Sequence, residues 1–247
     1  MEVRNPPIAD YELASNAVEV LTPKERALER LRSMYSKVGF VHPKEWMDAP
    51  AVLGDDGRTL SILNHPVMEV WEDNYMEELA KIATRNGGRV LEVGFGMGRS
   101  SRFIHNNPSV TNHVIVEANH DIADLAREFA EAASIKVDVI EGLRDDVLND
   151  LDPDSFDGML NDTYPLNELE VNAQELCAPL AYRVLRKGGV LTYFSDEPER
   201  FRRKHLETLL AAGFQAENID GKLIDVNPPA DCKYWNVNTI LAPIVVK

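Results

Sequence analysis

Residues 89–98 read RVLEVGFGMG, and the fold turns on them. Val90, Leu91 and Val93 form an apolar run of strand length. Gly94, Gly96 and Gly98 then follow at alternate positions. A strand running into glycines lets a ligand approach the backbone and lets the next helix face it with its N-terminus. A tight strand-to-helix turn with no ligand gives the same glycines, so the neighbouring segments must decide.

Outward from this turn the pattern alternates. Strands are expected at 89–93, 113–117, 136–140, 156–160 and 190–194. Helices are expected at about 97–106, then over Ile122, Leu125 and Phe129, then at 170–186 and 198–212. Two last strands, 222–226 and 238–246, have no helix between them. This is an α/β chain with a mostly parallel sheet, covered on both faces and carrying an antiparallel edge strand. Upstream, Thr22, Pro23 and Glu25 spell the start of a helix at 23–38. Residues 42–58 read as a loop holding one large aromatic, Trp46. Residues 67–84 read as a helix with Met68, Glu72 and Met76 on one line. Two domains are expected: 1–60, a helical extension that covers the substrate, and 61–247, the α/β domain. The apolar stripe of the 23–38 helix would serve as a lid or as a homodimer surface.

Composition narrows the function. The 247 residues carry a formal net charge of −15. Phosphate contacts need Lys and Arg, so nucleic acid and anionic membranes are poor partners, whereas a small cation suits the charge. Cys177 and Cys232 stand in no metal or redox spacing, and the six histidines show no ligand spacing. No apolar run approaches a membrane span, and no signal peptide is legible, so a soluble cytoplasmic protein is expected.

The ligand can be argued from charge. The strand at 113–117 ends in Glu117, 23 residues past Gly94, close to the spacing at which a carboxylate takes ribose hydroxyls. A dinucleotide would want its third glycine one residue later. Glu92, inside the strand, would repel a pyrophosphate but suit an ammonium group. S-adenosylmethionine carries an amino group, a sulfonium and no phosphate, and fits better. The other acid that asks for a partner is Asp162 in FDGMLNDTYPL, 156–166. It stands at the C-terminal lip of a buried strand with no Lys or Arg near it in sequence.

Five collinear segments, VLEVGFGMG, VMEVWEDNYM, FDGMLNDTYPL, LRKGGVLTYF and PPADCKYW, together resemble the guanidinoacetate N-methyltransferases and related arginine guanidino-methylating enzymes. The resemblance runs from about Trp46 to the C-terminus. It implies a Rossmann-like, seven-stranded class I methyltransferase fold with S-adenosylmethionine as donor. It places Trp46, Met68 and Met76 over the donor. With Glu92, Gly94 and Gly96, the stretch Met97, Gly98, Arg99, Ser100, Ser101 and Arg102 would lie beneath its methionine part. Glu117, Ala118 and Asn119 would hold the ribose, and Gly142 and Leu143 would flank the adenine. Glu72 and Asp162 would grip the acceptor. A guanidinium presents donor edges that carboxylates match in pairs. Asp162, nearest the expected sulfonium, would also accept the proton.

The loop after the LTYF strand departs from the family. There the resemblance implies backbone N–H groups that receive the acceptor's carboxylate. Here the loop reads Phe194-Ser195-Asp196-Glu197-Pro198. Two acids suit an α-amino group, so Ser195, Asp196 and Glu197, with Tyr164, become candidate substrate contacts. Free L-arginine is favoured over guanidinoacetate. A protein or peptide arginine, an inactive binding subunit of the same fold and a nicotinamide-dependent oxidoreductase are the competing readings.

Overall fold

The computed structural model describes residues 39–247 apart from positions 56 and 172. The expected helix at 23–38 lies outside the described residues, as does most of the expected 1–60 extension.

The described chain opens with a short helix, α1 (Pro43–Asp48), which carries Trp46. The 42–58 stretch is therefore not all loop. Six residues are too few to show a helical period, but the local signals are there. His42 caps the helix by accepting from the Lys44 N–H at 3.2 Å, and a proline opens its first turn. Three strands follow, β1 (Ala51–Leu53), β2 (Thr59–Ile62) and β3 (His65–Glu69), in a small antiparallel sheet.

The expected helix at 67–84 is corrected here. Leu60 pairs with Met68 and Thr59 with Glu69 in that small sheet, so the first residues of the segment are strand. A 3-10 turn (Val70–Glu72) leads into helix α2 (Asp73–Ala83). Cross-strand pairing has overridden the helical spacing, as it commonly does for Val- and Trp-rich segments. Met68, Glu72 and Met76 thus stand on a strand, a turn and a helix, not on one stripe.

The main sheet contains β4 (Gly88–Val93), β5 (Val110–Glu117), β6 (Lys136–Glu141), β7 (Phe156–Asn161), β8 (Leu185–Tyr193), β9 (Ile219–Asp225) and β10 (Thr239–Val246). Their order is β6-β5-β4-β7-β8-β10-β9. The first five are parallel, and β10 runs antiparallel to both β8 and β9. The antiparallel strand therefore lies one place in from the edge. Strand order reverses between β4 and β7. In open α/β sheets that switch point, at the carboxyl ends of the strands, is where ligands bind.

Between the strands lie α3 (Arg99–Ile104), α4 (His120–Glu131), α5 (Arg144–Asp150), α6 (Ala178–Val184) and α7 (Arg203–Ala211). The expected long helix at 170–186 is instead a 3-10 turn (Gln174–Cys177) followed by α6, and β8 already begins at Leu185. A proline in the first turn of α6 fits only where a helix starts. Helix α5 was not expected.

Alternate residues of the strands feed opposite cores. Leu91, Val93, Val116 and Met159 pack toward Leu148, Ala181 and Leu206. Val90, Leu160 and Val190 pack toward Tyr75, Leu79 and Ile104. Gly158 shows how tightly one side closes, since a Cβ there would overlap the carbonyl oxygen of Ala83 at the end of α2.

Candidate active site

The strand β7 is buried along its whole length. The Asp157 that interrupts its apolar run is accounted for locally: its carboxylate accepts the Arg89 N–H at 2.6 Å and pairs with Arg186. Asp162, one residue past the strand, donates its own N–H to the Val93 carbonyl at 2.9 Å. Its carbonyl fills the space where Gly94 would carry a Cβ, and Gly94 has φ +89°. The glycine is required by that close approach. Behind this corner Gln174 ties the turn down. Its Oε1 accepts from Asn161 Nδ2 at 2.8 Å and from the Thr163 hydroxyl at 3.1 Å, and its Nε2 donates to the Thr163 carbonyl at 2.5 Å.

A cavity opens at the carboxyl ends of β4, β5, β7 and β8. Trp46, Met68, Glu72, Gly94, Gly96, Glu117, Ala118, Gly142, Leu143, Asp162, Tyr164 and Asp196, all expected at the site, line it. Arg144 is the one basic residue among the described residues that line it, and it is held by Asp145 at 2.6 Å and Glu170 at 3.7 Å.

At one end, Glu117 terminates β5 with its carboxylate turned back on the glycine loop. Oε2 accepts the Phe95 N–H at 2.8 Å and Oε1 the Asn119 N–H at 2.9 Å. Burial raises its pKa, opposed by these backbone donors. Backbone donors from Ala118 and Gly96 also reach it, so the carboxylate is held in a fixed orientation at the end of β5. Above it Trp46 stacks on Tyr164, with ring centroids 4.5 Å apart and planes 13° apart, and the Tyr164 hydroxyl meets His65 Nδ1 at 2.8 Å. An aromatic pair thus joins α1 to the loop after β7 and walls the cavity.

At the other end stand three acids. Glu72, 3% exposed, accepts the Glu69 N–H at 2.8 Å. Burial, with Asp162 nearby, pushes its pKa well up. Burial, with Glu92 adding to it, pushes Asp162 up to about 7. Burial also pushes Asp196 up to about 7, against the pull of Arg202. No ion pair to Glu72 or Asp162 exists among the described residues. Low-dielectric surroundings and mutual repulsion are what lift such groups, and a cation between them would reverse both effects. The Tyr234 side chain also lines the cavity, and its hydroxyl faces Glu72, whose pKa it draws down against the effect of burial. It was not foreseen, although the segment PPADCKYW contains it.

Several expected contacts lie elsewhere. Glu92 does not face the cavity. Its carboxylate takes the hydroxyls of Ser100 and Ser101 and lies 3.0 Å from His113 Nε2, so all three groups form a buried polar knot under the turn. Cross-strand geometry explains this, since Glu92 pairs with Leu160 and shares its core-facing side. Met76 is fully buried in the core around α2. Met97 meets Met68 through its N–H, 3.5 Å from Sδ, and Gly98 caps α3 in a left-handed conformation. Arg99 is clamped on Asp73, and Arg102 is exposed. The Asn119 side chain binds α1, donating to the carbonyls of Trp46 and Ala49, both at 2.8 Å, and capping α4. Ser195 and Glu197 are buried away from the cavity. Ser195 donates its hydroxyl to the Leu241 carbonyl at 2.6 Å, and Glu197 holds Arg202 at 2.7 Å and His205 at 2.9 Å. Of that loop's three polar residues, Asp196 alone reaches the cavity.

A family model described as guanidinoacetate N-methyltransferase matches residues 36–247. Protein arginine N-methyltransferase 2 of Aspergillus oryzae (strain ATCC 42149 / RIB 40) is 29% identical over 247 residues, which covers 94% of this chain and 57% of that protein. The chain therefore spans little more than half the length of this relative. Spermidine synthase from Thermotoga maritima shares the fold with a TM-score of 0.57 and 15% identity, over 76% of this chain and 65% of that one. Spermidine synthase in complex with the transition-state analogue AdoDATO gives 0.55 and 14%, over 76% and 64%. At these identities the likeness is one of fold. No helix among the described residues is long and apolar enough to cross a membrane.

Proposed function

This chain belongs to the guanidinoacetate N-methyltransferase family, and from that premise we propose that it methylates the guanidino group of a small acceptor, with L-arginine ahead of guanidinoacetate. The observation that carries the reading is the convergence of Glu72, Asp162 and Asp196 on one cavity in which Arg144, the one basic residue lining it among the described residues, is committed to other acids. Such a cavity is built for a cation with more than one donor edge.

S-adenosylmethionine is the cofactor, and when bound it supplies an electrophilic methyl on a sulfonium. The chain's own groups do the rest. Glu117 and the glycine turn suit its ribose and backbone approach, and Trp46 with Tyr164 screens the site from water. Glu72 and Asp162 take the two edges of the guanidinium and fix its plane. Each charge-assisted contact is worth on the order of 1.5–3 kcal/mol. A guanidinium has a pKa of about 12.5–13.8 and no localised lone pair, so the attacking nitrogen must shed a proton around the moment of transfer. Asp162, held at the strand lip and with its pKa near neutrality, accepts that proton. Glu72 stays as the orienting charge, and alignment of nitrogen with the methyl supplies much of the remaining rate.

A second reading has one observation in its favour, the similarity to a protein arginine N-methyltransferase. A peptide-borne arginine presents no ammonium at its far end, which leaves Asp196 without a task. Purified protein, tested for methyl transfer to L-arginine, guanidinoacetate and the proteins of a lysate, separates the two. Transfer to a lysate protein with none to free guanidines would replace the small-acceptor reading.

A further inference from the structure

The far end of the acceptor cavity carries a charge pattern that L-arginine only half satisfies. Asp196 has φ +54°, a left-handed backbone that few residues beyond Gly, Asn and Asp adopt. Its neighbours hold it there. The Ser195 N–H donates to the Tyr75 hydroxyl at 3.2 Å and the Glu197 N–H to Ser195 Oγ at 3.1 Å. The Glu197 carbonyl accepts the Leu241 N–H at 2.7 Å. A left-handed residue fixed by this many bonds, with its side chain reaching a ligand cavity, marks a functional constraint. The same bonds occupy the N–H groups of Ser195 and Glu197, so neither is left to receive a carboxylate. Arg202, the nearest cation, is engaged by Glu197 and does not line the cavity. An ammonium at this end would meet Asp196, while a carboxylate would meet Asp196 and, behind it, Glu175 and Glu197.

Resting on the guanidino methyl-transfer reading, we propose that Asp196 selects acceptors with a cationic tail and no carboxylate, that is, ω-guanidino alkylamines in preference to guanidino acids and α-amino acids. The transfer balances as it does for any guanidine. The C–N bond forms as the methyl–sulfur bond breaks, the sulfonium becomes a neutral thioether, and the nitrogen's proton passes to Asp162.

Four acceptors with the same four-carbon spacer isolate the tail: 4-guanidinobutylamine (amine only), L-arginine (amine and carboxylate), 5-guanidinopentanoate (carboxylate only) and N-butylguanidine (neither). Initial rates with saturating S-adenosylmethionine give kcat/KM for each. The amine-only compound should exceed L-arginine by about tenfold or more, and 5-guanidinopentanoate should rank last, because like charges brought together at a binding surface are strongly disfavoured. In Asp196→Asn the ratio of 4-guanidinobutylamine to N-butylguanidine should fall toward unity. L-arginine equal to or better than 4-guanidinobutylamine overturns the proposal while leaving the guanidino reading intact. An unchanged ratio in Asp196→Asn overturns it too. Transfer to none of the four, with S-adenosylhomocysteine still bound, overturns the guanidino reading itself and the proposal with it.

Discussion

The N–H of Asp162 donates to the carbonyl of Val93 at 2.9 Å, which extends the β4–β7 ladder past the last residue of β7. The acid at the strand's lip is thus positioned by main chain, at the corner where Gly94 leaves room for it. Its carboxylate is free of that scaffold. Asp162→Asn should therefore keep the corner, the fold and donor affinity while removing the proton acceptor. Turnover should drop by roughly 10²–10⁴, the usual contribution of a general base. The dissociation constant of S-adenosylhomocysteine, by calorimetry, should change little. Turnover near the wild-type level would remove Asp162 from the base role.

The elevated pKa values of Asp162 and Asp196 make two signed pH predictions. For catalysis, the base must be ionised, so kcat/KM should climb as pH rises through about 7. For stability the sign is opposite. Both groups have folded pKa values raised above their ordinary ones, to about 7. Their neutral forms favour the fold, so their contribution is full below about pH 4 and is lost as pH rises through about 7. An Asp162→Asn, Asp196→Asn double variant should therefore gain on wild type in Tm between about pH 5 and about pH 8, by a few °C. A guanidino-amine ligand should raise the wild-type Tm more at the higher pH, because it supplies the missing cation. A Tm difference that does not depend on pH would show that the two acids are solvated in the folded protein.

The sequence made the parallel sheet legible because each strand is a short apolar run bounded by glycines, and β4 and β7 carry both the turn and the acid. It also made most of the cavity legible, since Gly94, Glu117 and Asp162 all stand at strand ends, where the position of a side chain follows from the strand. It failed where the partner is remote. Nothing local says that Glu92 points down to Ser100, Ser101 and His113, or that the Asn119 side chain is used up on Trp46 and Ala49, 73 and 70 residues away. The Met68–Glu72–Met76 spacing suggested a helix because the strand that pairs with Met68 lies across a turn. Glu72 reaches the cavity all the same, from the end of a 3-10 turn rather than from a helix face. In the 195–197 loop the sequence offered three candidates and gave no means of telling that two of them are bonded inward.

The Trp46–Tyr164 stack makes a prediction about the donor end. It connects α1 to the loop that follows Asp162, so in the proposed arrangement it closes the cavity over the cofactor. Trp46→Ala removes a buried aromatic, worth about 3–5 kcal/mol in a core, and opens the wall. Donor KM should rise by at least about tenfold, and Tm should fall. Trp46→Phe should restore part of both, since a smaller ring can still stack. Tyr164→Phe keeps the stack and loses the bond to His65, at a cost of about 1 kcal/mol and with little change in donor KM. A donor KM unaffected by Trp46→Ala would mean that α1 does not cover the cofactor.

Glu72 and Glu117 are both buried carboxylates with raised pKa values, yet they should fail in different ways when neutralised. Glu117 holds its place through the N–H groups of Phe95 and Asn119, at the proposed ribose end. Glu117→Gln exchanges an acceptor oxygen for a donor there, so it should weaken S-adenosylhomocysteine binding by about tenfold to a hundredfold, with acceptor KM nearly unchanged. Glu72 holds its place through the Glu69 N–H, at the proposed acceptor end. Glu72→Gln keeps a side chain of the same shape, removes the charge that faces the guanidinium and relieves repulsion with Asp162. Acceptor KM should rise by about tenfold to a hundredfold, with S-adenosylhomocysteine affinity nearly unchanged. That selectivity separates loss of an acceptor-facing charge from a merely damaged site, which would lose donor affinity as well. An acceptor KM unchanged in Glu72→Gln, or a donor affinity weakened as much as in Glu117→Gln, would show that the two ends of the cavity are not divided between donor and acceptor in this way.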